Sequence, residues 1–481
     1  MQESILKVVQ TVNGYLADYI LIILLIGTGL FFSIKTKFVQ VRCFGEGMKK
    51  VFGNISLRGG KQEGGLSSFQ ALATAIAAQV GTGNIVGASG AILVGGPGAI
   101  FWMWIIAFLG MATIYAEATL AQETRIIDDK GEVHGGPVYY IKKAFPNGFG
   151  TFLAVFFAIA ITLALGFMGS MVQSNSIAES CNTAFGVPGW IVGLIIAVVC
   201  AFIFIGGIQR IASVTEKIVP LMAVLFLIGG VCVLVARIQY IPATFAMIFK
   251  FAFTPSALIG GGIGAALKTA ISQGAKRGLF SNEAGMGSTP HAHAQANVKH
   301  PHEQGVVAMI GVFIDTFVVL TMTALVVISC LYAGEGGLAS LSGDAYLAAT
   351  SGADAIVSKT NAMQTAFTQA IPLGNFGNIF IAICLLFFAF STIIGWNFFG
   401  KINVQYLFKN KKGAVVLYSV IAIVFIFLGS LLSNDLVWEL TDFFNYLMVI
   451  PNVIALIALN KIVVKNATGK KAEKIEKVDA E

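Results

Sequence analysis

Polar side chains and glycines interrupt one apolar stretch of this 481-residue chain, close to residue 80. Gln79, Thr82 and Asn84 stand at the same depth as Gly81 and Gly83. Each glycine inside a helix costs about 1 kcal/mol relative to alanine, and polar groups inside a membrane gather where unwound backbone lines a cavity. The pattern predicts a broken helix whose freed backbone and side chains bind a ligand. The alternative is close helix packing through a GxxxG spacing, with polar packing contacts.

A second apolar stretch carries four glycines within the five residues from Gly260 to Gly264. A continuous helix is not expected there, so Gly261 and Gly262 would offer backbone groups to a ligand together with the glycines of the first break. Half-helix N-termini suit a carboxylate, and freed carbonyls suit a cation or an ammonium. A zwitterionic amino acid bound with a sodium ion would use both kinds of group.

The composition sets the class of protein. Hydrophobic residues make up 56% of the chain and charged residues 11%, and the mean hydropathy is +0.82. So little charge cannot cover a soluble globule. A soluble enzyme, a nucleic-acid binder, a secreted disulfide scaffold and a disordered protein are therefore excluded. The net charge of +7 reports membrane topology rather than a nucleic-acid partner.

We predict an all-α membrane protein with about 11 transmembrane helices. The apolar segments run over approximately 15–34, 66–92, 98–122, 150–180, 188–206, 214–236, 256–278, 305–332, 374–400, 413–431 and 438–460. With the first segment set aside, the two broken segments each open a set of five and cross the membrane in opposite directions. Broken helices at matching places predict a transporter built from a 5+5 inverted repeat.

The loops alternate in charge and predict the orientation in the bilayer. Residues 35–65 and 401–412 are basic, whereas 333–373 and 432–442 are acidic. By the positive-inside rule the N-terminus lies outside and the C-terminus in the cytoplasm. We therefore expect four parts, which are an extra helix with a basic cytoplasmic loop (1–65), a first repeat (66–236), a second repeat (242–460) with an extracellular cap (333–373), and a cytoplasmic tail (461–481).

Other chemistry finds little support in the sequence. HExxH, GxSxG and Walker A motifs are absent, so neither an intramembrane enzyme nor direct ATP coupling is expected, and no cofactor is implied. An ion channel would need a symmetric filter or rings of like charge. His291, His293, His300 and His302 are expected in a solvated cytoplasmic loop. Glu117 is either part of a gate ion pair or of an interhelical hydrogen bond. Asp315 is either a functional carboxylate or makes a structural hydrogen bond to a neighbouring helix.

Two motifs carry a resemblance to a known family. The runs GLSSFQALAT (65–74) and VGTGNI (80–85), and the run QGAKRGLFSNEAGMGS (273–288), resemble the signatures of the alanine or glycine:cation symporter family. The resemblance extends over essentially the whole chain. It implies the LeuT-like fold of the amino acid–polyamine–cation superfamily, with one extra helix before the ten-helix core.

The resemblance also implies a function. It is uptake of alanine or glycine, coupled to inward sodium flux by alternating access, in a prokaryotic inner membrane. A small pocket would also accept serine or D-alanine. Proton coupling is the alternative, and the oligomeric state stays open.

The cation site of LeuT-like transporters can be carried over by position. Carbonyl oxygens of Ala77, Val80 and Phe388 and the hydroxyls of Ser391 and Thr392 would bind Na⁺, because hard cations prefer oxygen ligands. The alternative is that these hydroxyls bond to carbonyls of their own helix.

Further substrate contacts follow from the same resemblance. Phe167, Met168 and Gln173 lie midway along the segment that would face the first broken helix. Core packing is the alternative for all three. Trp396 lies one turn beyond Thr392, where it either limits substrate size or anchors the helix at the membrane interface.

Overall fold

The computed structural model describes residues 2–53, 66–129, 131–204, 207–260, 262–351 and 355–469. The named elements in this part of the chain are helices, apart from one small hairpin in which β1 (Ile126–Ile127) pairs antiparallel with β2 (Val133–His134). The long helices are α1 (Ser4–Lys35), α2 (Ser68–Gln79), α3 (Gly83–Gly95), α4 (Ala99–Thr124), α5 (Gly148–Phe185), α6 (Gly189–Phe204), α7 (Gly207–Ala236), α8 (Ile241–Phe253), α9 (Ile263–Asn282), α10 (Pro301–Tyr332), α11 (Phe376–Leu407), α12 (Lys412–Gly429) and α13 (Asn434–Ala458).

Short helices connect the long ones. They are Val39–Arg42, Phe44–Phe52, Pro137–Ala144, Ile238–Tyr240, Ser256–Ile259, Pro290–His293, Leu338–Ser340, Asp344–Thr350, Ala362–Ala370 and Asn460–Thr468. Several long helices also contain π-helical turns, at Leu16–Leu21, Gly83–Gly87, Thr162–Gly169, Phe313–Leu320 and Ile328–Tyr332. Such turns carry one extra residue, so they rotate the faces that side chains beyond them present.

The described residues make a multi-pass membrane protein. Among them, eight helices are long and apolar enough to cross a membrane, or nine when α2 and α3 count as one bent span. Two shorter apolar helices, Gly189–Phe204 and Ile238–Phe253, fall below that length. Helix α9 is not among the candidates, and it carries Lys268, Lys276 and Arg277.

The first predicted break is confirmed between α2 and α3. Helix α2 begins with a reciprocal cap, in which the N–H of Gln70 donates to Ser67 Oγ and the N–H of Ser67 donates to Gln70 Oε1, both at 3.1 Å. It ends where Val80 leaves helical geometry at ψ 88°. Helix α3 resumes after the break at an angle of 48° to α2.

Helix α9 lies beside α2 and α3 and runs in the opposite direction. A Cβ on Gly95, at the end of α3, would lie 3.3 Å from Ala270 Cα. One on Gly83 would lie 3.1 Å from Ser281 Cα. Before α2, the N–H of Leu66 donates at 2.8 Å to the carbonyl of Gln295. These contacts bring the end of α9 against the first break.

Candidate functional site

The break between α2 and α3 directs two backbone N–H groups toward side chains. Gly81 N–H donates to Asn84 Oδ1 at 3.0 Å, and Thr82 N–H donates to Gln173 Oε1 at 3.1 Å. In a continuous helix the N–H of Gly81 would pair with the carbonyl of Ala77. The break therefore releases that carbonyl oxygen for another partner.

The five residues that the family resemblance assigns to a cation lie together and are buried. Thr392 Oγ1 is 2.9 Å from the carbonyl oxygen of Ala77 and 3.0 Å from that of Phe388. It is also 3.5 Å from the carbonyl oxygen of Val80. Ser391 Oγ is 3.4 Å from the Ala77 oxygen and 2.9 Å from the Phe388 oxygen.

This cluster holds more acceptors than protons. The hydroxyls of Ser391 and Thr392 each have one hydrogen to donate. Both lie within reach of the Phe388 carbonyl of their own helix and of the Ala77 carbonyl across the break. One hydrogen bond for each hydroxyl leaves lone pairs of at least one carbonyl and both hydroxyls free. Neutral oxygens crowded in this way are suited to a cation.

A buried carboxylate lies on the other side of the break. Asp315 Oδ1 accepts from Asn84 Nδ2 at 2.7 Å, and Asp315 Oδ2 accepts from Ser281 Oγ at 2.8 Å and Thr316 Oγ1 at 2.9 Å. The network joins α3, the end of α9 and α10. The hydrogen bonds to neighbouring helices that the sequence offered as one alternative for Asp315 are therefore present.

Three buried side-chain atoms beside the break have no hydrogen-bond partner within the described part of the chain. They are Gln79 Oε1, Thr82 Oγ1 and Gln173 Nε2. An unsatisfied buried polar group costs about 1–3 kcal/mol, so these atoms are suited to a polar ligand or to water. The other end of Gln79 donates to the carbonyl of Asn282 at 2.7 Å, toward α9.

Trp396 forms a tight aromatic wall near the break. It is 1% exposed, which excludes the alternative of an interfacial anchor. Its ring lies edge-on to Phe280 with centroids 5.7 Å apart, and a Cβ on Gly169 would lie 2.5 Å from Trp396 Cζ3. The indole N–H donates to Glu283 Oε1.

Phe167 and Met168 lie apart from this cluster. The Phe167 ring packs against Tyr418 and Phe425 of α12, with centroids 5.4 and 5.1 Å away. Met168 is half-buried in the hydrophobic core. Core packing, the alternative that the sequence left open, describes both contacts. The π-helical turn Thr162–Gly169 explains the difference, because a period of 3.6 residues does not predict which face such a turn presents.

The unwound segment that follows α9 lies further along the chain than the glycine-rich run that the sequence predicted as the second break. Gly262 is exposed, and a Cβ on it would meet open space. Gly261 lies outside the described residues. Helix α9 instead ends where Glu283 takes a left-handed conformation (φ 58°), and Gly285 and Gly287 follow at φ 95° and 79°. The contacts with the first break come from Ser281 and Asn282 at the end of α9, directly before the unwound residues 283–289, and not from Gly262.

The sequence also matches a known protein family over almost its whole length. The sequence profile of the Sodium:alanine symporter family matches residues 2–480. The chain belongs to the sodium:alanine symporter family.

Relatives in this family cover nearly the whole chain. A sodium/alanine symporter, AgcS, of Methanococcus maripaludis is 41% identical over 459 residues, or 95% of each chain. A putative sodium/proton-dependent alanine carrier of Bacillus subtilis is 39% identical and spans 94% of this chain and 90% of its own. A probable sodium/glutamine symporter of the same organism is 38% identical, over 96% and 90% respectively.

A solved structure shares the fold. MhsT in complex with L-phenylalanine aligns with a TM-score of 0.56 over 85% of this chain and 96% of its own, at 15% sequence identity. The likeness shows that this sodium:alanine symporter family member has a LeuT-like fold.

Sequence reasoning did not connect Glu117 and Glu283 with the unwound segment that follows α9 in this family member. Glu117 accepts from the N–H groups of Gly285 at 3.1 Å and Gly287 at 2.9 Å. It also accepts from Asn452 Nδ2 at 2.6 Å. Of the two alternatives for Glu117, the structure shows hydrogen bonding to neighbouring elements. Glu283 accepts from Ser288 as well as from Trp396.

Two of the four histidines expected in a solvated loop are buried. His291 stacks near Phe399 with centroids 5.6 Å apart, and its Nε2 lies 2.9 Å from Asn403 Nδ2. His293 Nδ1 lies 2.8 Å from Gln304 Nε2. Polar side chains of neighbouring helices make this burial tolerable, and their positions are not evident in the local sequence.

Proposed function

We propose that this chain couples inward Na⁺ flux to the uptake of a small neutral amino acid by alternating access. The observation that carries the proposal is the convergence of three carbonyl and two hydroxyl oxygens at Ala77, Val80, Phe388, Ser391 and Thr392. All five are neutral, so a bound monovalent cation leaves one net positive charge, whereas a divalent ion would leave two in a buried site. Sodium, a hard cation, suits oxygen ligands.

The substrate would bind at the break beside the cation. Gln173 Nε2 and Thr82 Oγ1 can donate to a carboxylate, and unwound backbone supplies further polar groups. The Trp396 wall restricts space, which favours alanine and glycine, with serine and D-alanine as further substrates. Gln79 would act indirectly, by linking the first break to the end of α9.

Coupling follows from the residues that the two ligands share. A Cβ on Gly81 would lie 2.4 Å from Thr392 Oγ1 and 3.1 Å from Gln173 Oε1. The oxygens of the proposed cation site and the side-chain amide that would contact the substrate therefore meet at this glycine. Either ligand would order this segment, and the second ligand then binds a segment that is already ordered. Such positive coupling is typically worth about 1–3 kcal/mol.

Alternating access also requires that the site be closed toward one side of the membrane while it is open toward the other. Arg277 of α9 forms a 2.9 Å ion pair with Asp442 of α13, and its guanidinium lies 4.7 Å from the centroid of Trp438. The Trp438 ring in turn packs on Phe280, with centroids 4.6 Å apart. We propose that this stack closes the extracellular side of the site in the conformation described here.

The architecture that we propose for this function has eleven spans. One extra helix, within 1–65, precedes five-helix repeats at 66–236 and 242–460. The protein would span a prokaryotic plasma membrane. The N-terminus and the cap at 333–373 would lie on the outer side, and the tail at 461–481 would lie in the cytoplasm. The opposite directions of α2–α3 and α9 support the inverted repeat, and the alternation of loop charge supports the orientation.

Proton coupling is the second candidate, and Asp315 favours it. This carboxylate is fully buried and bonded to the break through Asn84. Intramembrane carboxylates often carry protons in transporters. One relative is named a putative sodium/proton-dependent alanine carrier.

Uptake of labelled alanine into proteoliposomes separates the two candidates. We would compare three conditions, which are an inward sodium gradient, an inward potassium gradient of the same size, and an inward proton gradient without sodium. Our proposal predicts alanine uptake under the sodium gradient and under neither of the other two. Uptake driven by protons without sodium would transfer the coupling role to Asp315. Uptake under none of the three gradients would reject alanine as the substrate.

A further inference from the structure

Three potential metal ligands meet beside the base of α10, away from the transport site. The Sγ of Cys43, a carboxylate oxygen of Glu46 and a ring nitrogen of His302 all lie within 4.8 Å of one another. His302 Nε2 is 3.4 Å from Glu46 Oε2, a separation close to the distance between two ligands of a tetrahedral metal site. Cys43 is the N-cap of the short helix Phe44–Phe52 and Glu46 lies in the first turn of that helix, so the two side chains are local neighbours.

The surrounding packing holds the three ligands in place without a metal. The short helix Phe44–Phe52 lies against α10 so closely that a Cβ on Gly47 would be 2.7 Å from the carbonyl oxygen of Val306. An ion pair between Lys50 and Glu303, at 3.6 Å, adds a second contact between this short helix and α10. A site assembled in this way requires little reorganisation on binding.

A neighbouring hydroxyl orients the histidine. Tyr115 Oη lies 2.7 Å from His302 Nδ1. When Nδ1–H donates to this hydroxyl, the lone pair of Nε2 faces Glu46 and Cys43. Metal-binding histidines commonly use their second nitrogen in this manner. Cys43 is 5% exposed and the Glu46 side chain 45% exposed, so the thiol is sheltered while the carboxylate side is open to an arriving ion.

We propose that Cys43, Glu46 and His302 form a binding site for a borderline divalent metal ion such as Zn²⁺. Sulfur, nitrogen and oxygen ligands together suit this class of ion, and water would take the fourth position. Binding replaces the thiol proton, which leaves to solvent, with a metal–sulfur bond. The bound ion would fasten the helix Phe44–Phe52 to α10 independently of transport.

Cobalt titration of the purified full-length chain tests this site, because Co²⁺ reports thiolate binding by a ligand-to-metal absorption band. We expect one equivalent of Co²⁺ with this band, displaced by Zn²⁺. Cys43→Ser should abolish the band. The matched controls Cys181→Ser and His300→Ala should keep it, since they change another cysteine and the histidine two residues from His302.

Two further variants keep the test decisive if Cys43→Ser fails to fold. Glu46→Gln should weaken Co²⁺ affinity while leaving the sulfur band, and Tyr115→Phe should weaken it about 10- to 100-fold by releasing the histidine. Absence of a sulfur band in the folded wild-type chain would overturn the proposal and leave only the contact between His302 Nε2 and Glu46 Oε2. Persistence of the band in folded Cys43→Ser would also overturn it.

Discussion

The side-chain amide of Asn84 donates to the carboxylate of Asp315 at 2.7 Å, and the same carboxylate accepts from Ser281 at 2.8 Å. The first break is thereby fastened to α9 and α10 by one buried side chain. A ligand that reshapes the break would therefore act on both helices. This connection links local ordering of the site to the movement of a group of helices.

Asp315→Asn should reduce alanine uptake strongly. The new amide keeps one oxygen but replaces the other with an NH2 group, so it places a donor opposite either the amide of Asn84 or the hydroxyl of Ser281. A buried mismatch of this kind costs about 1–3 kcal/mol, or roughly 5- to 150-fold in affinity. The initial uptake rate and KM for alanine measure the effect. Thr323→Ala on the same helix serves as the control, because its buried hydroxyl has no partner within the described residues. Wild-type uptake by Asp315→Asn would show that the network is dispensable.

Gly81→Ala should abolish sodium-dependent alanine binding. A Cβ at this position would lie 2.4 Å from Thr392 Oγ1, so the oxygens of the proposed cation site would have to separate. Gly264→Ala should leave binding unchanged, since its Cβ would meet open space. Alanine binding to both purified variants, measured in saturating sodium, gives the comparison. Equal loss in both variants would contradict the placement of the second break at 283–289.

Trp396→Ala should admit larger amino acids, because it removes the ring that lies between Gly169 and Phe280. Trp396→Phe keeps an aromatic wall and loses only the hydrogen bond to Glu283, so it should retain the preference for small substrates. Competition of unlabelled valine and leucine against labelled alanine measures the change. If Trp396→Ala still excludes both competitors, the wall does not set substrate size.

Arg277 and Asp442 should depend on each other. Their side chains are 13% and 3% exposed, and removing one partner of a buried pair costs about 3–5 kcal/mol, whereas replacing both is far milder. Arg277→Met and Asp442→Leu should each lower thermal stability more than the double variant does. Unfolding temperatures of the three detergent-solubilised variants complete the cycle. Additive losses would mean that the two side chains do not interact.

The first break, which forms half of the candidate site, was predictable because its signal is local. Gly81, Thr82 and Asn84 break the helix within four residues, and their own side chains and backbone form much of the break. The proposed cation residues on α11 needed the family resemblance, since Ser391 and Thr392 alone also fit ordinary back-bonding.

The second half was misplaced because its signal is tertiary. Four glycines lie between 260 and 264, yet the residues that contact the first break are Ser281 and Asn282, just before the backbone unwinds at Glu283. Hydrogen bonds from Gly285 and Gly287 to Glu117, on a helix far away in sequence, hold the backbone there. The burial of His291 depends likewise on Asn403. Local sequence does not reveal such partners.

The sodium dependence of alanine affinity tests the central claim most directly. Alanine binding would be titrated at low and high sodium for the wild type, for Ser391→Ala/Thr392→Ala, and for Ser419→Ala, whose hydroxyl donates only to Val415 of its own helix among the described residues. We predict that sodium raises affinity about 5- to 150-fold in the wild type and in Ser419→Ala, and has no effect in the double variant. An undiminished sodium effect in the folded double variant would contradict the proposed cation site.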